Sequence, residues 1–245
     1  MHTLTKASRL FAIQNFFWIA MDWLYPPSCA GCGKNGERLC ASCLQQIIPI
    51  DHQHACPHCD LPEVGHLCPD CQSQTPAFDQ LRSFSKYEGI LRQSIHRMKY
   101  ENDLPLADTL CRMLISLFIQ QNWQVDLICP VPLSPQRLRQ RGYNQSALLA
   151  QILGWAVSIP FNNKALSRIR ETRTQVGLNA EQRRANVQGA FTAQSKIVKH
   201  KTILLVDDIA TTSATLSACA EALKAAGAVK VYAITLARTV HLDSS

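Results

Sequence analysis

Three groups of side chains in this 245-residue chain have the types and spacing that chemistry requires. The first is Asp207-Asp208 with the run Ala210-Thr211-Thr212-Ser213-Ala214-Thr215. Paired carboxylates suit ribose hydroxyls, or a metal held through phosphates. Small and hydroxyl residues at the opening of a helix offer backbone N–H groups and hydroxyls to a phosphate. One ligand that satisfies both halves is a ribose 5-phosphate with an activated carbon 1. A helix cap needs only one such side chain, so the acids and hydroxyls together exceed what capping explains.

The second group is Cys29-x2-Cys32-x7-Cys40-x2-Cys43, followed by Cys56-x2-Cys59-x8-Cys68-x2-Cys71. Each CxxC is a tight knuckle whose sulfurs converge on one tetrahedral ion, and two knuckles complete a four-thiolate zinc site. With every position filled by protein, such a zinc is structural. The expected grouping is sequential, Cys29, Cys32, Cys40 and Cys43 on one zinc and Cys56, Cys59, Cys68 and Cys71 on the other, with a cross-braced grouping left open. His52, His54, His58 and His66 read as bystanders. Cys111, Cys129 and Cys219 lie in apolar segments and read as small core residues. Paired CxxC knuckles without an evident secretory signal point to metal in a reducing compartment rather than to disulfides.

The third group is basic. Arg137, Arg139 and Arg141 lie within five residues, and Arg168, Arg170, Arg173, Arg183 and Arg184 follow. Over 137–184 nine basic side chains face two acidic ones, which suits a mobile cover over a diphosphate better than a plain solvated face. The charge is uneven along the chain: residues 1–75 carry four basic and six acidic side chains, and the remainder 21 and 12. The positive half therefore holds the hydroxyl loop, which fits an anionic ligand, either a phosphate or a nucleic acid.

These groups need elements to hold them. Ile203 to Val206 is an apolar run of the kind found in buried parallel strands, and Asp207 and Asp208 are expected to end it. A helix with Leu216, Cys219, Ala220, Leu223 and Ala226 on its apolar positions follows, stopped by Gly227, and a strand from Val229 to Leu236 closes the unit. Ligands of such units lie beyond the carboxyl end of the strand. Leu81 to Tyr87 reads as a strand. Ile90, Leu91, Ile95 and Met98 recur at helical spacing, and Asp103 is expected to cap the next helix. Val125 to Leu133 is another strand, broken by Pro130 and Pro132 into a stiff loop beside the phosphate strand, suited to a second anion pocket. The helix Ala147 to Val157 comes next.

At the N-terminus, the apolar stretch Leu10 to Tyr25 is interrupted by Gln14, Asn15 and Asp22, short of the roughly 18–20 uninterrupted residues of a membrane span. An amphipathic helix is expected there, packed on the body of the protein or docked on a membrane surface or partner. The expected division is an N-terminal helix over 1–27, a cysteine module over 28–75 and an α/β domain over 76–245.

The Asp-Asp and hydroxyl stretch resembles the signature by which type I phosphoribosyltransferases hold 5-phosphoribosyl-1-diphosphate (PRPP), with Ser213 where that signature usually has Gly. Four features together, the cysteine module, Cys-Pro-Val-Pro-Leu with Arg-Gly-Tyr-Asn-Gln, the Arg-x-Arg-x-Thr-Arg-x-Gln to Asn-Val-x-Gly-Ala-Phe segment, and Val-Asp-Asp-Ile-Ala-Thr-Thr-Ser-Ala-Thr, resemble the ComF/GntX family over residues 22–240. That resemblance implies a type I phosphoribosyltransferase-like parallel sheet flanked by helices, joined to a double zinc ribbon, and a link to competence and the use of external DNA. By position it places Asp207 and Asp208 on the ribose hydroxyls and Ala210 to Thr215 on the 5-phosphate. Pro130, Val131, Pro132 and Leu133, with Arg141, fall on the diphosphate side, and residues 168–186 on a flexible loop.

Two function classes follow. One is a PRPP- and Mg²⁺-binding protein of the phosphoribosyltransferase fold; if catalytic, it displaces diphosphate at carbon 1 with an unidentified nitrogen nucleophile, and no residue is singled out as a general base. The other is a non-enzymatic adaptor that contacts single-stranded DNA or DNA-uptake proteins. A cytoplasmic location, at most peripheral to the inner face of the membrane, is expected for either.

Overall fold

The structure, a computed structural model, describes residues 26–101, 103–170 and 180–240, without the side chains of 180, 181, 183 and 184. The N-terminal helix expected within 1–27 therefore lies almost wholly outside the described residues. In chain order the elements are α1 (Ala41–Leu44), α2 (Pro69–Ser73), β1 (Gln80–Lys86), α3 (Gly89–Tyr100), α4 (Leu106–Gln120), β2 (Leu127–Pro130), α5 (Pro135–Arg141), α6 (Gln145–Val157), β3 (Leu166–Arg168), α7 (Ala180–Val187), β4 (Phe191–Ala193), α8 (Ser195–Val198), β5 (Thr202–Ala210), α9 (Ala214–Ala225) and β6 (Lys230–Arg238).

Among the described residues the central sheet is parallel, in the order β1-β6-β5-β2, and β3 and β4 form a separate antiparallel pair. Strands buried on both faces read as continuous apolar runs, and here the two-residue period divides them between two cores. Ile203 and Leu205 of β5, with Val231 and Ala233 of β6, meet the core that includes α9. Leu204 and Val206, with Ile234 and Leu236, meet the core built by α3, α4 and α6.

Two expectations about these elements need correction. β5 does not stop before the acidic pair but runs on to Ala210, because Asp207, Ile209 and Ala210 stay in register with Thr235, Ala237 and Arg238 of β6. Nor does Asp103 cap the following helix. α4 starts after Pro105, and the Asp103 carboxylate instead lies 2.7 Å from Arg38 Nη1 and 2.9 Å from Arg97 Nε. Two guanidinium partners hold a carboxylate more strongly than backbone amides at a helix start.

A parallel sheet must protect its edges. At β2, Ile128 donates its N–H to the Pro160 carbonyl (2.8 Å) and accepts from Asn162 N (3.0 Å). At β1 the cysteine-rich segment supplies the cover. The link between its two halves runs along the strand, where Ile50 N donates to the Phe84 carbonyl (2.8 Å) and Ser85 Oγ to the Ile48 carbonyl (2.6 Å). Further along, within the second half, the wholly buried Asp60 accepts from Ser83 N (2.6 Å) through Oδ2. Its Oδ1 faces His52 Nδ1 (2.9 Å) and Arg82 Nη1 (3.5 Å). Cys29, Cys40 and Cys43 then pack into the core with α3 and α4, and Cys56, Cys59, Cys68 and Cys71 into the core with α9. The module thus straddles the sheet edge and extends both cores. Among the described residues no helix is long and apolar enough to cross a membrane.

Asp60→Ala removes the acceptor of Ser83 N and the carboxylate facing buried Arg82, a loss of about 3 kcal/mol. Asp60→Asn keeps one acceptor and tolerates the left-handed backbone at this residue (φ 60°), so it is expected to cost less. Denaturant unfolding of the zinc-loaded variants measures both.

Candidate functional site

Each cysteine module is drawn together by its own backbone. Gly31 N and Cys40 N both donate to Cys29 Sγ at 3.4 Å, and Cys68 N does so to Cys56 Sγ at 3.4 Å. The sulfurs fall into two clusters, Cys29, Cys32, Cys40 and Cys43, and Cys56, Cys59, Cys68 and Cys71, with the ligand atoms of each within 4.8 Å of one another. That is the sequential grouping, and the cross-braced alternative is not what the chain adopts. Sulfur separations of 3.6, 3.7 and 3.5 Å for Cys29–Cys40, Cys32–Cys40 and Cys59–Cys68 approach the edge of about 3.8 Å that a tetrahedron with Zn–S near 2.3 Å requires. The donor set fits structural zinc.

Each cluster holds thiols biased toward thiolate: Cys29 and, through the Ser42 hydroxyl, Cys40 in the first, and Cys59 in the second. Burial raises the Cys29 pKa, but N–H groups of the knuckle overcome it and hold the thiol at about 6. Cys59 is held at about 5, chiefly by the Cys71 thiol and, against burial, by the Arg238 guanidinium. The histidines stand apart from both clusters: His52 faces Asp60, His54 faces Asp51 (2.6 Å), and His58 stacks on Phe78 with ring centroids 5.2 Å apart. Cys111, Cys129 and Cys219 are buried in the cores, as expected.

The second site is a cleft of about 200 Å³ at the carboxyl ends of β5 and β2. Asp207 and Asp208 form its floor. α6 starts at the N-cap Asn144, whose side chain accepts from Ser146 N (3.0 Å) and donates to the Val131 carbonyl (3.0 Å), fixing the helix to the proline loop. Ser146 Oγ then donates to Asp207 Oδ1 (2.6 Å). From α3, Lys99 Nζ reaches Asp208 Oδ2 at 2.6 Å. Burial, and next the neighbouring Asp208 charge, raise the Asp207 carboxyl to about 7, against the Ser146 hydrogen bond and the Lys99 charge.

The hydroxyl loop divides between two sides. Thr211, Ser213 and Thr215 line the cleft with Ala210, whereas Thr212 and Ala214 line a neighbouring groove beside Thr75 and Pro76, which Ser213 also borders. Ser213 is the N-cap of α9 and adopts φ 60°, ψ 7°, the left-handed region that favours glycine. Its side chain is buried, and Oγ has no hydrogen-bond partner among the described residues. A buried hydroxyl left unpaired costs about 1–3 kcal/mol, and the left-handed backbone adds about 1 kcal/mol. Both costs fall at the positive end of a three-turn helix.

The other expected residues are partly gathered. Val131, Pro132 and Leu133 line the cleft, and Pro130 ends β2 beneath it, paired with Val206. α5, capped by Ser134 and ended by left-handed Gly142, brings Arg137 and Arg141 to the rim. Arg168 lines the cleft from β3 with its guanidinium 5.6 Å from the Phe191 ring centre. Arg170 turns elsewhere, donating to the carbonyls of Asn186 (3.1 Å) and Gln188 (2.7 Å). Arg173 and the side chains of Arg183 and Arg184 lie outside the described residues. Lys99, Tyr87, Gln145, Ser146 and Thr239 belong to or support the cleft without having been singled out from sequence. Nothing in the local sequence marks Lys99 or Ser146, and only the fold brings them to the acidic pair.

Comparison with known proteins agrees with this geometry. Residues 20–72 match the double zinc ribbon domain family and residues 148–242 the phosphoribosyl transferase domain family. Competence protein F of Haemophilus influenzae is 35% identical over 214 residues, 84% of this chain and 91% of that one. DNA utilization protein YhgH of Salmonella typhi is 31% identical, covering 82% and 89%, and competence protein ComFC of Bacillus subtilis is 29% identical, covering 84% and 86%. The parallel sheet with its flanking helices is the phosphoribosyltransferase fold, and the cysteine module is a double zinc ribbon.

A carboxyl raised in the folded state holds a proton that the unfolded chain gives up. Its contribution to stability is therefore fullest below about pH 4 and is lost as pH rises through about 7. Asp207→Asn, whose amide oxygen still accepts from Ser146, removes that dependence. The variant is expected to match the parent protein in thermal unfolding near pH 4.5 and to exceed it at pH 8.

Proposed function

The chain belongs to the family of competence protein F, ComFC and YhgH, and from that premise we propose that it binds PRPP with Mg²⁺ in the β5 cleft and takes part in DNA uptake or utilisation. The observation that carries this reading is Ser213: a strained, buried and unpaired hydroxyl at the start of α9, next to two carboxylates, is explained by a phosphate that accepts from it. In this reading Asp207 and Asp208 hold the ribose hydroxyls. Thr211, Ser213, Thr215 and the backbone of Ala210 to Thr215 hold the 5-phosphate, and Pro130 to Leu133 with Arg141 face the diphosphate. Arg168, Arg170, Arg173, Arg183 and Arg184 belong to the covering segment.

Mg²⁺, carried in on the ligand's phosphates, supplies charge neutralisation. Lys99 leaves Asp208 free for the ribose only if it moves to the anion, a redistribution that costs one ion pair and gains another. A catalytic version breaks the bond between carbon 1 and the diphosphate oxygen and forms one to a nitrogen nucleophile. Diphosphate departs, its charge met by the arginines and by the Mg²⁺ it would carry, and the nucleophile's proton passes to solvent. Positioning and charge stabilisation supply the rate. The division into a ribbon module over 28–75 and a domain over 76–245, and a cytoplasmic site of action with the segment 1–27 at a membrane surface or partner, are part of the same proposal.

A second reading, a DNA-binding adaptor, is favoured by α5, which carries Arg137, Arg139 and Arg141 and buries none of its residues.

Ligand-induced thermal stabilisation tests the site. The zinc-loaded protein is expected to gain stability with PRPP and Mg²⁺, and the Asp207→Asn, Asp208→Asn double variant to gain none while keeping its fold. Equal stabilisation of both proteins would refute the assignment. Absence of any PRPP effect, with single-stranded DNA binding that falls steeply with salt, would favour the adaptor.

A further inference from the structure

Arg238, the last residue of β6, is buried to 5% exposure and touches two sites at once. Its Nη1 donates to the carbonyl of Thr211, with the Ala210 carbonyl at 3.4 Å. Its Nη2 reaches Cys59 Sγ at 3.6 Å. Ala210 and Thr211 are the root of the hydroxyl loop, and Cys59 is a thiol of the second ribbon, 179 residues away in sequence. The backbone beside Arg238 ties the end of β6 to the root of the loop and to the end of β1: Thr239 N donates to the Ala210 carbonyl (2.9 Å), and Tyr87 N to the Arg238 carbonyl (2.8 Å).

A buried guanidinium needs a counter-charge. Among the described residues no carboxylate forms an ion pair with Arg238, whereas the arginines near the first ribbon, Arg38 and Arg97, pair with Asp103. The counter-charge available to Arg238 is the four-thiolate centre, which carries a formal charge of −2 when it holds zinc. Outer-shell donors to metal ligands commonly govern both ligand orientation and metal retention. Among the described residues the first ribbon has no such link to the loop, and it serves as an internal control.

We infer that Arg238 is a positioning residue that makes the conformation of the Ala210–Thr215 loop depend on the zinc occupancy of the second ribbon. With zinc present, the guanidinium is held by the sulfur cluster and fixes the carbonyls at the root of the loop. When the metal leaves, the four-sulfur cluster that faces the buried cation loses negative charge and its fixed geometry, and the guanidinium's hold on Thr211 weakens. What the loop binds rests on the reading proposed above, but the coupling does not.

The test uses the full chain, zinc-loaded and without PRPP. Zinc transfer to a chromophoric chelator resolves the two equivalents, and hydrogen exchange reports the amides of 210–215. In Arg238→Met one equivalent is expected to leave about tenfold faster, the other unchanged, and the loop amides to exchange about tenfold faster. Arg238→Lys, keeping the charge, should restore most of the zinc retention and part of the protection. Cys59→Ser, which unloads the second ribbon, should loosen the loop as Arg238→Met does, and the two changes together should do no more than either alone. Should Arg238→Met not fold, the lysine and serine variants decide alone. Unchanged loop exchange in Cys59→Ser overturns the inference, as does a wild-type zinc release rate in Arg238→Met or, where that variant does not fold, wild-type loop exchange in Arg238→Lys. A final addition of PRPP separates the readings: coupling without PRPP binding upholds this inference and removes the proposed ligand, whereas PRPP binding without coupling does the reverse.

Discussion

The exposed edge of β1 is the constraint around which the molecule is assembled. A parallel sheet that ends in an unpaired strand offers its N–H and C=O groups to any other chain. Here the link between two zinc ribbons closes that edge, and the buried Asp60 carboxylate locks it to Ser83 and Arg82. The arrangement solves a second difficulty. Ribbons of this size have too little apolar surface to fold alone and depend on metal. By placing one ribbon on each face of the sheet edge, the chain lets each borrow a core from the larger domain. Removing zinc is therefore expected to uncover the β1 edge as well as to loosen the ribbons.

The cleft at the other end of the strands is built from groups that folding alone would not choose. Two carboxylates lie side by side, one raised toward neutral pH by burial and its neighbour's charge. A serine occupies a glycine conformation with its hydroxyl buried and unpaired. The starts of α6 and α9 and the Lys99 ammonium converge on the same small volume. Local rules are broken together at one place, which is the pattern of a binding site supported elsewhere by a consistent fold. The support is visible: both cores are continuous apolar layers, and the arginines at the ribbon seams have partners.

Much of this was legible in the sequence because the relevant signals are local. CxxC spacing gives the sulfur clusters, the apolar run Ile203 to Val206 gives the strand, and the acids and hydroxyls after it mark the candidate cleft. Ser213 could be marked as a departure from glycine before its backbone was known, and the structure gives the reason glycine is usual there. Other features depend on pairing across the chain. β5 passes through its acidic residues because β6 continues beside it, which no property of Asp207 or Asp208 announces. Asp103 looks like a cap, but Arg38 lies 65 residues away in sequence and claims it. Lys99, Ser146 and Arg238 owe their roles to the fold. Arg238 alone left a trace, as a charged residue closing the apolar strand from Val231 to Ala237.

The central claim is that the end of β5 is the phosphoribosyl diphosphate site proposed above. Calorimetric titration of the zinc-loaded protein with PRPP, with and without Mg²⁺, tests it most directly. The account predicts saturable binding of one ligand per chain that requires Mg²⁺. No heat of binding at millimolar PRPP in either condition would contradict it.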